Sequence, residues 1–146
     1  MKLMHLAAVA AAFTALASTA QAADPVEGTW MVQGGAAKVR VAPCSGDKAK
    51  MCGVIAWMKA PNDKSGQPQK DVNNPDGALR GRPIVGLTMI RDFNLAGAGK
   101  WTGGKIYDPS SGKTYGSKMS ANPDGSLKVE GCIAVVCQAQ TWKRSS

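Results

Sequence analysis

Turn-forming residues divide most of this chain into short segments. Its 17 glycines and 8 prolines recur roughly every ten residues after residue 23. Between them apolar and polar side chains often alternate, as in Lys38-Val39-Arg40-Val41 and Leu127-Lys128-Val129-Glu130. Such alternation is typical of strands with one buried face, and no segment of this region has a helical period. The pattern therefore predicts an all-β domain.

Eight antiparallel strands fit between the turns. We expect them at residues 26–33, 37–43, 52–59, 84–92, 98–107, 113–120, 126–132 and 137–144. The turns Asp108–Gly112 and Asn122–Gly125 combine proline with glycine, which suits hairpins. These strands can form a sandwich or an up-and-down barrel. We favour one barrel over residues 23–146, because closure removes unpaired strand edges.

The first 22 residues have the pattern of a cleaved signal peptide. Lys2 and His5 precede an apolar run, Leu6–Ala17, and Ala20-Gln21-Ala22 supplies small residues before the cut. The run is too short to span a bilayer, and we expect no transmembrane segment after cleavage. The mature chain should be periplasmic or secreted. Its net charge falls from +8 to +7 when Lys2 is removed.

Cleavage also removes His5, the only histidine, and this excludes catalysis by imidazole and with it most hydrolase chemistry. We therefore expect no enzyme, no metal and no cofactor. Four aspartates that could supply an acid and a nucleophile are better explained by turns: Asp63, Asp71, Asp76 and Asp108. The stretch Asp71–Gly77 departs from the calcium-loop pattern at Pro75. The lysines are scattered, so we expect no nucleic acid and favour an anionic envelope surface as the electrostatic partner.

Four cysteines in an exported chain predict two disulfides. Cys44 and Cys52 flank one short turn, and Cys132 and Cys137 flank another, which favours these two pairings among three. Each loop is short, so each bridge should contribute about 2 kcal/mol. A four-thiolate zinc site is the alternative, but its usual spacing is closer than these gaps.

Residues at the two ends of the chain predict how the barrel closes. In a closed meander the first and last strands are neighbours, so the Arg144 guanidinium should cover the Trp30 indole and gain about 1 kcal/mol. Gly28-x-Trp30 with Arg144 resembles the lipocalin, or calycin, pattern. Further segments are Cys52–Trp57, Asp71–Pro75, Arg82–Leu87, Trp101–Pro109, Gly112–Tyr115 and Gln140–Arg144. Together they resemble a bacterial family of exported proteins, the domain of unknown function 2147. That resemblance implies a lipocalin-like barrel and an exported location, and it implies no reaction or ligand.

Strand alternation and one long polar loop indicate where a ligand would bind. Residues 60–82 contain almost no large apolar side chain, and we expect this loop over the barrel mouth. If Trp101 and Tyr115 face inward, alternation places five more residues inward: Gly103, Lys105, Tyr107, Ser117 and Met119. Arg82, at the end of the loop, either clamps an anion or pairs with Asp71 or Asp76.

Two functions fit this sequence. The first is binding of a small molecule, with six expected ligand-binding residues: Arg82, Trp101, Lys105, Tyr107, Tyr115 and Gln140. The alternative is a non-enzymatic structural or interaction module of the cell envelope, with side chains filling the barrel. A continuous pocket of at least ~300 Å³ reaching Tyr107, Tyr115 and Gln140 would favour ligand binding.

Overall fold

The computed structural model describes residues 17–18 and 22–146. Apart from positions 17, 18 and 22, the predicted signal peptide at residues 1–22 lies outside the described residues. Within the described part of the chain, no helix is both long and apolar enough to cross a membrane.

Eight antiparallel strands form a closed barrel, which confirms the predicted fold class. The strands are β1 (Gly28–Met31), β2 (Ala37–Pro43), β3 (Lys50–Met58), β4 (Thr88–Gly97), β5 (Lys100–Asp108), β6 (Lys113–Ala121), β7 (Leu127–Ile133) and β8 (Val136–Ser145). Each strand pairs with the next, and β1 pairs with β8. Because strand direction alternates, the β1–β2, β3–β4, β5–β6 and β7–β8 connections share one end of the barrel, which we call the open end. At the closed end β1 begins and β8 ends.

Strand β4 differs most from its predicted range. The sequence predicts a strand at 84–92, whereas β4 runs from Thr88 to Gly97. Ile84–Leu87 forms a turn instead, closed by a hydrogen bond from Leu87 N to Ile84 O at 3.0 Å. Gly86 adopts φ 96° in this turn, a conformation that favours glycine. Ile84 and Leu87 are still buried in the core although they precede the strand, so the strand prediction is wrong for residues 84–87 and agrees with β4 over residues 88–92.

Large side chains fill much of the barrel interior. The largest fully buried residues are Trp30, Trp142, Phe93, Met51, Ile90 and Leu127. Glycines make room for two of them. The Phe93 ring occupies the place of a Cβ on Gly104, and the Ile90 side chain occupies the place of a Cβ on Gly53.

The closed end is sealed as the sequence predicts. The Arg144 Cζ atom lies 4.2 Å from the centroid of the Trp30 ring. Its Nη1 donates to Glu27 O at 3.0 Å, and its Nη2 donates to Pro25 O at 2.9 Å. The guanidinium therefore ties the last strand both to the first strand and to the segment that precedes it.

Both predicted disulfides are present, and they use all four cysteines of the chain. Cys44–Cys52 joins β2 to β3 at the closed end. Cys132–Cys137 joins directly opposed residues of β7 and β8 at the open end, where it holds the tip of that hairpin together.

Candidate functional site

The long connection from β3 to β4, residues 59–87, is folded against the barrel. A 3-10 helix, Gly77–Leu79, lies within it. The Asn73 side chain donates from Nδ2 to Ser110 O at 3.0 Å, which ties the connection to the β5–β6 turn. The connection therefore lies at the open end, where the sequence places the loop.

A buried carboxylate, Asp71, organises this connection. The Arg82 Nε and Nη2 atoms each lie 2.9 Å from Asp71 Oδ2, and Asn74 Nδ2 donates to the same oxygen at 2.9 Å. From β5, the Tyr107 hydroxyl donates to Oδ1 at 2.5 Å. A buried charge is costly unless it is paired and hydrogen-bonded. Here one guanidinium and two neutral donors compensate it.

These contacts set the pKa values of the cluster. Burial raises the pKa of Asp71, but the hydrogen bonds from Tyr107, Asn74 and Arg82 outweigh burial and hold this pKa below its usual value. Burial of the phenol and its bond to Asp71 raise the pKa of Tyr107 to about 12. Neither group changes its protonation near pH 7. Through these contacts the cluster anchors the long connection to β5.

Two predicted ligand-binding residues belong to this anchor. Arg82 forms the ion pair with Asp71 that was one of its two expected roles, and 38% of its side chain stays exposed. Tyr107 is buried, with its hydroxyl committed to the same carboxylate. The partnership of Asp71, Asn74 and Tyr107 was not predicted, because 36 residues separate Asp71 from Tyr107 and no local pattern joins them.

An irregularity in β5 decides where Lys105 points. The register with β6 shifts between Trp101 and Gly104, and Gly103 adopts φ 68°. A bulge adds a residue to one strand and changes which face the following residues occupy. Trp101 and Gly104 are buried, whereas Gly103 and Lys105 are exposed. The prediction that Gly103 and Lys105 face inward is therefore wrong.

The same shift separates the two tyrosines. Ile106, not Tyr107, pairs with Tyr115, so Ile106 shares the inner face with it. The prediction that Tyr107 and Tyr115 share this face is wrong as well. Ser117 and Met119 are buried, as expected.

The inner side of β6–β8 is accessible near the open end. By register, five residues share this side, which we call the inner recess: Tyr115, Ser117, Gly131, Gln138 and Gln140. Gln140 lies on the same face of β8 as the buried Trp142, and its Oε1 accepts a hydrogen bond from Trp142 Nε1 at 2.9 Å. Both glutamines are nevertheless exposed. The reason is that β1 ends at Met31 and pairs only with residues 143–145 of β8. In the part of the chain that the structure describes, residues Val136–Trp142 therefore have no strand partner on the β1 side.

Trp101 supplies an unused donor inside the barrel. Its side chain is 6% exposed, and among the described residues its Nε1 is the buried side-chain polar atom without a hydrogen-bond partner. Across neighbouring strands, Trp101 pairs with Met119, Met119 with Val129, and Val129 with Gln140. The indole therefore lies in the same layer of the barrel as the recess.

Two surface cavities lie on the outer wall. One, of about 440 Å³, is lined by residues of β2–β4 that include Arg40 and Val54. The other, of about 460 Å³, is lined by Lys105, Lys118 and the tip of the β7–β8 hairpin. Neither of these two cavities is lined by Tyr107, Tyr115 or Gln140. Neither of these two cavities is therefore the continuous pocket that the sequence analysis takes as favouring ligand binding.

The other three aspartates that were considered for catalysis have local roles in turns. Asp63 and Asp108 accept hydrogen bonds from serines two residues later, and Asp76 accepts from Ala78 N, so turn geometry explains all three, as expected. Cys44, Cys52 and Asp92 offer ligand atoms within 4.8 Å of one another. The two sulfurs are joined in a disulfide and lack the thiolate charge that binds metal.

Comparisons with known proteins agree with this architecture. A family model described as "Uncharacterized protein conserved in bacteria (DUF2147)" matches residues 28–144. Among solved structures, the chain is similar to protein HP1028 from the human pathogen Helicobacter pylori, described as belonging to the lipocalin family. The TM-score is 0.70 and the identity 24%, over 82% of each chain, so this likeness concerns the fold. No curated protein matches.

Proposed function

We propose that this chain, which belongs to the DUF2147 family of uncharacterized proteins conserved in bacteria, binds a small molecule in the inner recess at the open end of its lipocalin-like barrel. One observation carries the proposal: Gln138 and Gln140 face the barrel interior and yet meet solvent. Because both amides are exposed, a ligand seated on this face can take the place of the water that they would otherwise bind. The lipocalin fold of HP1028 agrees with such a role.

The recess favours a neutral ligand with hydrogen-bonding groups. Its polar side chains are amides and hydroxyls, and the Trp101 indole adds one free donor. The two cations predicted to meet a ligand are engaged elsewhere, Arg82 by Asp71 and Lys105 by its place on the outer wall. A charged ligand would therefore lack a counter-ion in the recess, which disfavours its burial.

Native mass spectrometry of the protein purified from its own host tests this function. We expect a co-purifying small molecule that is lost on Tyr115→Ala and on Gln138→Ala. It should be retained on Lys105→Ala, a control on the outer wall near the recess. Thermal melts of the three variants establish that each is folded. Recovery of bare protein from every preparation, or equal loss of the molecule from the Lys105→Ala control, would contradict the proposal.

A second candidate is a structural or interaction module, and the filled interior around Trp30, Phe93 and Trp142 favours it. The same experiment separates the two, because the module predicts a bound macromolecule and an empty recess. In both cases we propose that the protein acts without catalysis and after export. Sequencing the amino terminus of the purified protein tests export, and the expected first residue is Ala23.

A further inference from the structure

Exposed apolar side chains gather at the open end of the barrel. Among the described residues, eight large hydrophobic side chains are exposed, and seven of them are at this end: Trp57, Val72, Leu79, Val85, Ile133, Val135 and Val136. The eighth, Leu95, lies near the opposite end of β4. Single exposed hydrophobic residues are ordinary, but a concentration at one end marks an interaction surface.

The most exposed part of this surface is the tip of the β7–β8 hairpin. Ile133, Val135 and Val136 are 69%, 94% and 70% exposed. The Cys132–Cys137 disulfide closes the hairpin immediately behind them. The apolar tip is therefore presented in one shape before any partner arrives, so binding costs little ordering entropy.

The charges at this end are mainly positive. Five exposed cations lie on the long connection and at the start of β6: Lys59, Lys64, Lys70, Arg80 and Lys113. The carboxylates here are fewer, because Asp71 is neutralised by Arg82 and three others remain: Asp63, Asp76 and Asp108. An end of the barrel that carries both apolar side chains and an excess of cations complements a bilayer with anionic headgroups.

We propose that the open end docks on an anionic lipid bilayer, with the hairpin tip Ile133–Val136 entering the interface and the cations of the same end contacting headgroups. Trp57 suits the same boundary, because an indole is favoured where apolar chains meet water. This docking is independent of the inner recess, since none of the side chains that it uses belongs to the recess.

Vesicle flotation with the mature, oxidised chain tests the docking. The vesicles are phosphatidylcholine alone, or phosphatidylcholine with about one third phosphatidylglycerol. We expect binding to the anionic vesicles that falls as salt rises. The double variant Val135→Asp, Val136→Asp should lower the partition coefficient roughly tenfold or more, since it replaces two apolar side chains with negative charges that the anionic headgroups repel. Leu95→Asp, at the far end, is the matched control and should change it less than about twofold.

A second readout reports orientation. Brominated lipids should quench the emission of the exposed Trp57, and Trp57→Phe should abolish most of that quenching. The proposal is overturned if anionic vesicles do not bind the wild-type chain, or if Leu95→Asp weakens binding as much as the tip variant. It is also overturned if the tip residues instead hold two copies of the chain together in size-exclusion chromatography while vesicles bind nothing.

Discussion

Replacing Tyr107 by phenylalanine isolates one hydrogen bond of the buried cluster. The substitution keeps the ring and removes the hydroxyl that donates to Asp71 Oδ1. A hydrogen bond to a buried charge contributes about 1.5–3 kcal/mol, and its loss leaves that oxygen without this donor. We therefore expect Tyr107→Phe to lower the free energy of unfolding at pH 7 by about 2 kcal/mol. With a urea m-value of about 1.5 kcal/mol/M, the midpoint should fall by about 1.3 M.

The pH dependence of this loss has a definite sign. The pKa of Tyr107 rises from 10.0 to about 12 on folding, so the stability that it contributes is complete below pH 10 and disappears as pH rises through 12. The stability difference between wild type and Tyr107→Phe should therefore shrink across this window. At acid pH the sign is opposite. The pKa of Asp71 is lowered on folding, so its contribution is present above about pH 3.8 and is lost as pH falls further.

Urea titrations at several pH values, with Tyr115→Phe as the control, check the argument. Tyr115 is the other tyrosine of the chain and lies half-buried on the inner face of β6. We expect Tyr115→Phe to cost less than about 1 kcal/mol, because no buried charge loses a donor. In the Tyr115→Phe variant Tyr107 is the one remaining tyrosine, so an ultraviolet absorbance titration of that variant reports the ionisation of Tyr107. Equal destabilisation by the two substitutions, or ionisation of Tyr107 near pH 10, would contradict a hydrogen bond from Tyr107 to a buried Asp71 carboxylate.

Three further changes, with Gly116→Ala as a control, test how the barrel is packed and held together. Gly53→Ala should lower the free energy of unfolding, measured in urea, by about 1–3 kcal/mol, because the new Cβ would overlap buried side chains. Gly116→Ala has room for a Cβ and should lower it by under about 1 kcal/mol. Equal losses from the two variants would contradict this packing. Arg144→Ala should lower the free energy of unfolding by about 2 kcal/mol, because it removes the contact with the Trp30 indole and two hydrogen bonds to backbone carbonyls. An unchanged melting temperature would argue against closure by this residue. Replacing Cys44 and Cys52 together by alanine should lower the free energy of unfolding by about 2 kcal/mol in calorimetry, and an unchanged melting temperature would contradict a stabilising role for this bridge.

Local patterns were enough to predict most of the barrel. Alternation and turn residues act within a few positions, so the number of strands and their antiparallel order could be read directly. The pairing of Cys132 with Cys137 was predictable for the same reason, because the turn between them brings the two residues opposite each other. Closure by Arg144 over Trp30 followed once the strand order was assumed.

The candidate site was predicted less well, because each miss depends on a partner distant in sequence. Lys105 faces outward since β5 bulges against β6, and strict alternation cannot anticipate an extra residue. Tyr107 is committed to Asp71, which only the folded connection brings near it. Tyr115 keeps its predicted inner face.

Sequence patterns alone predicted antiparallel hairpins and two hairpin disulfides in this chain. Those features follow from periodicity and turn chemistry, which are properties of neighbouring residues. Three features became visible only in the folded chain: Gln138 and Gln140 meet solvent, Arg82 is paired with Asp71, and the exposed apolar residues share the open end. Each of these depends on where strands begin and end relative to one another, and relative strand length is set by packing between segments far apart in the chain.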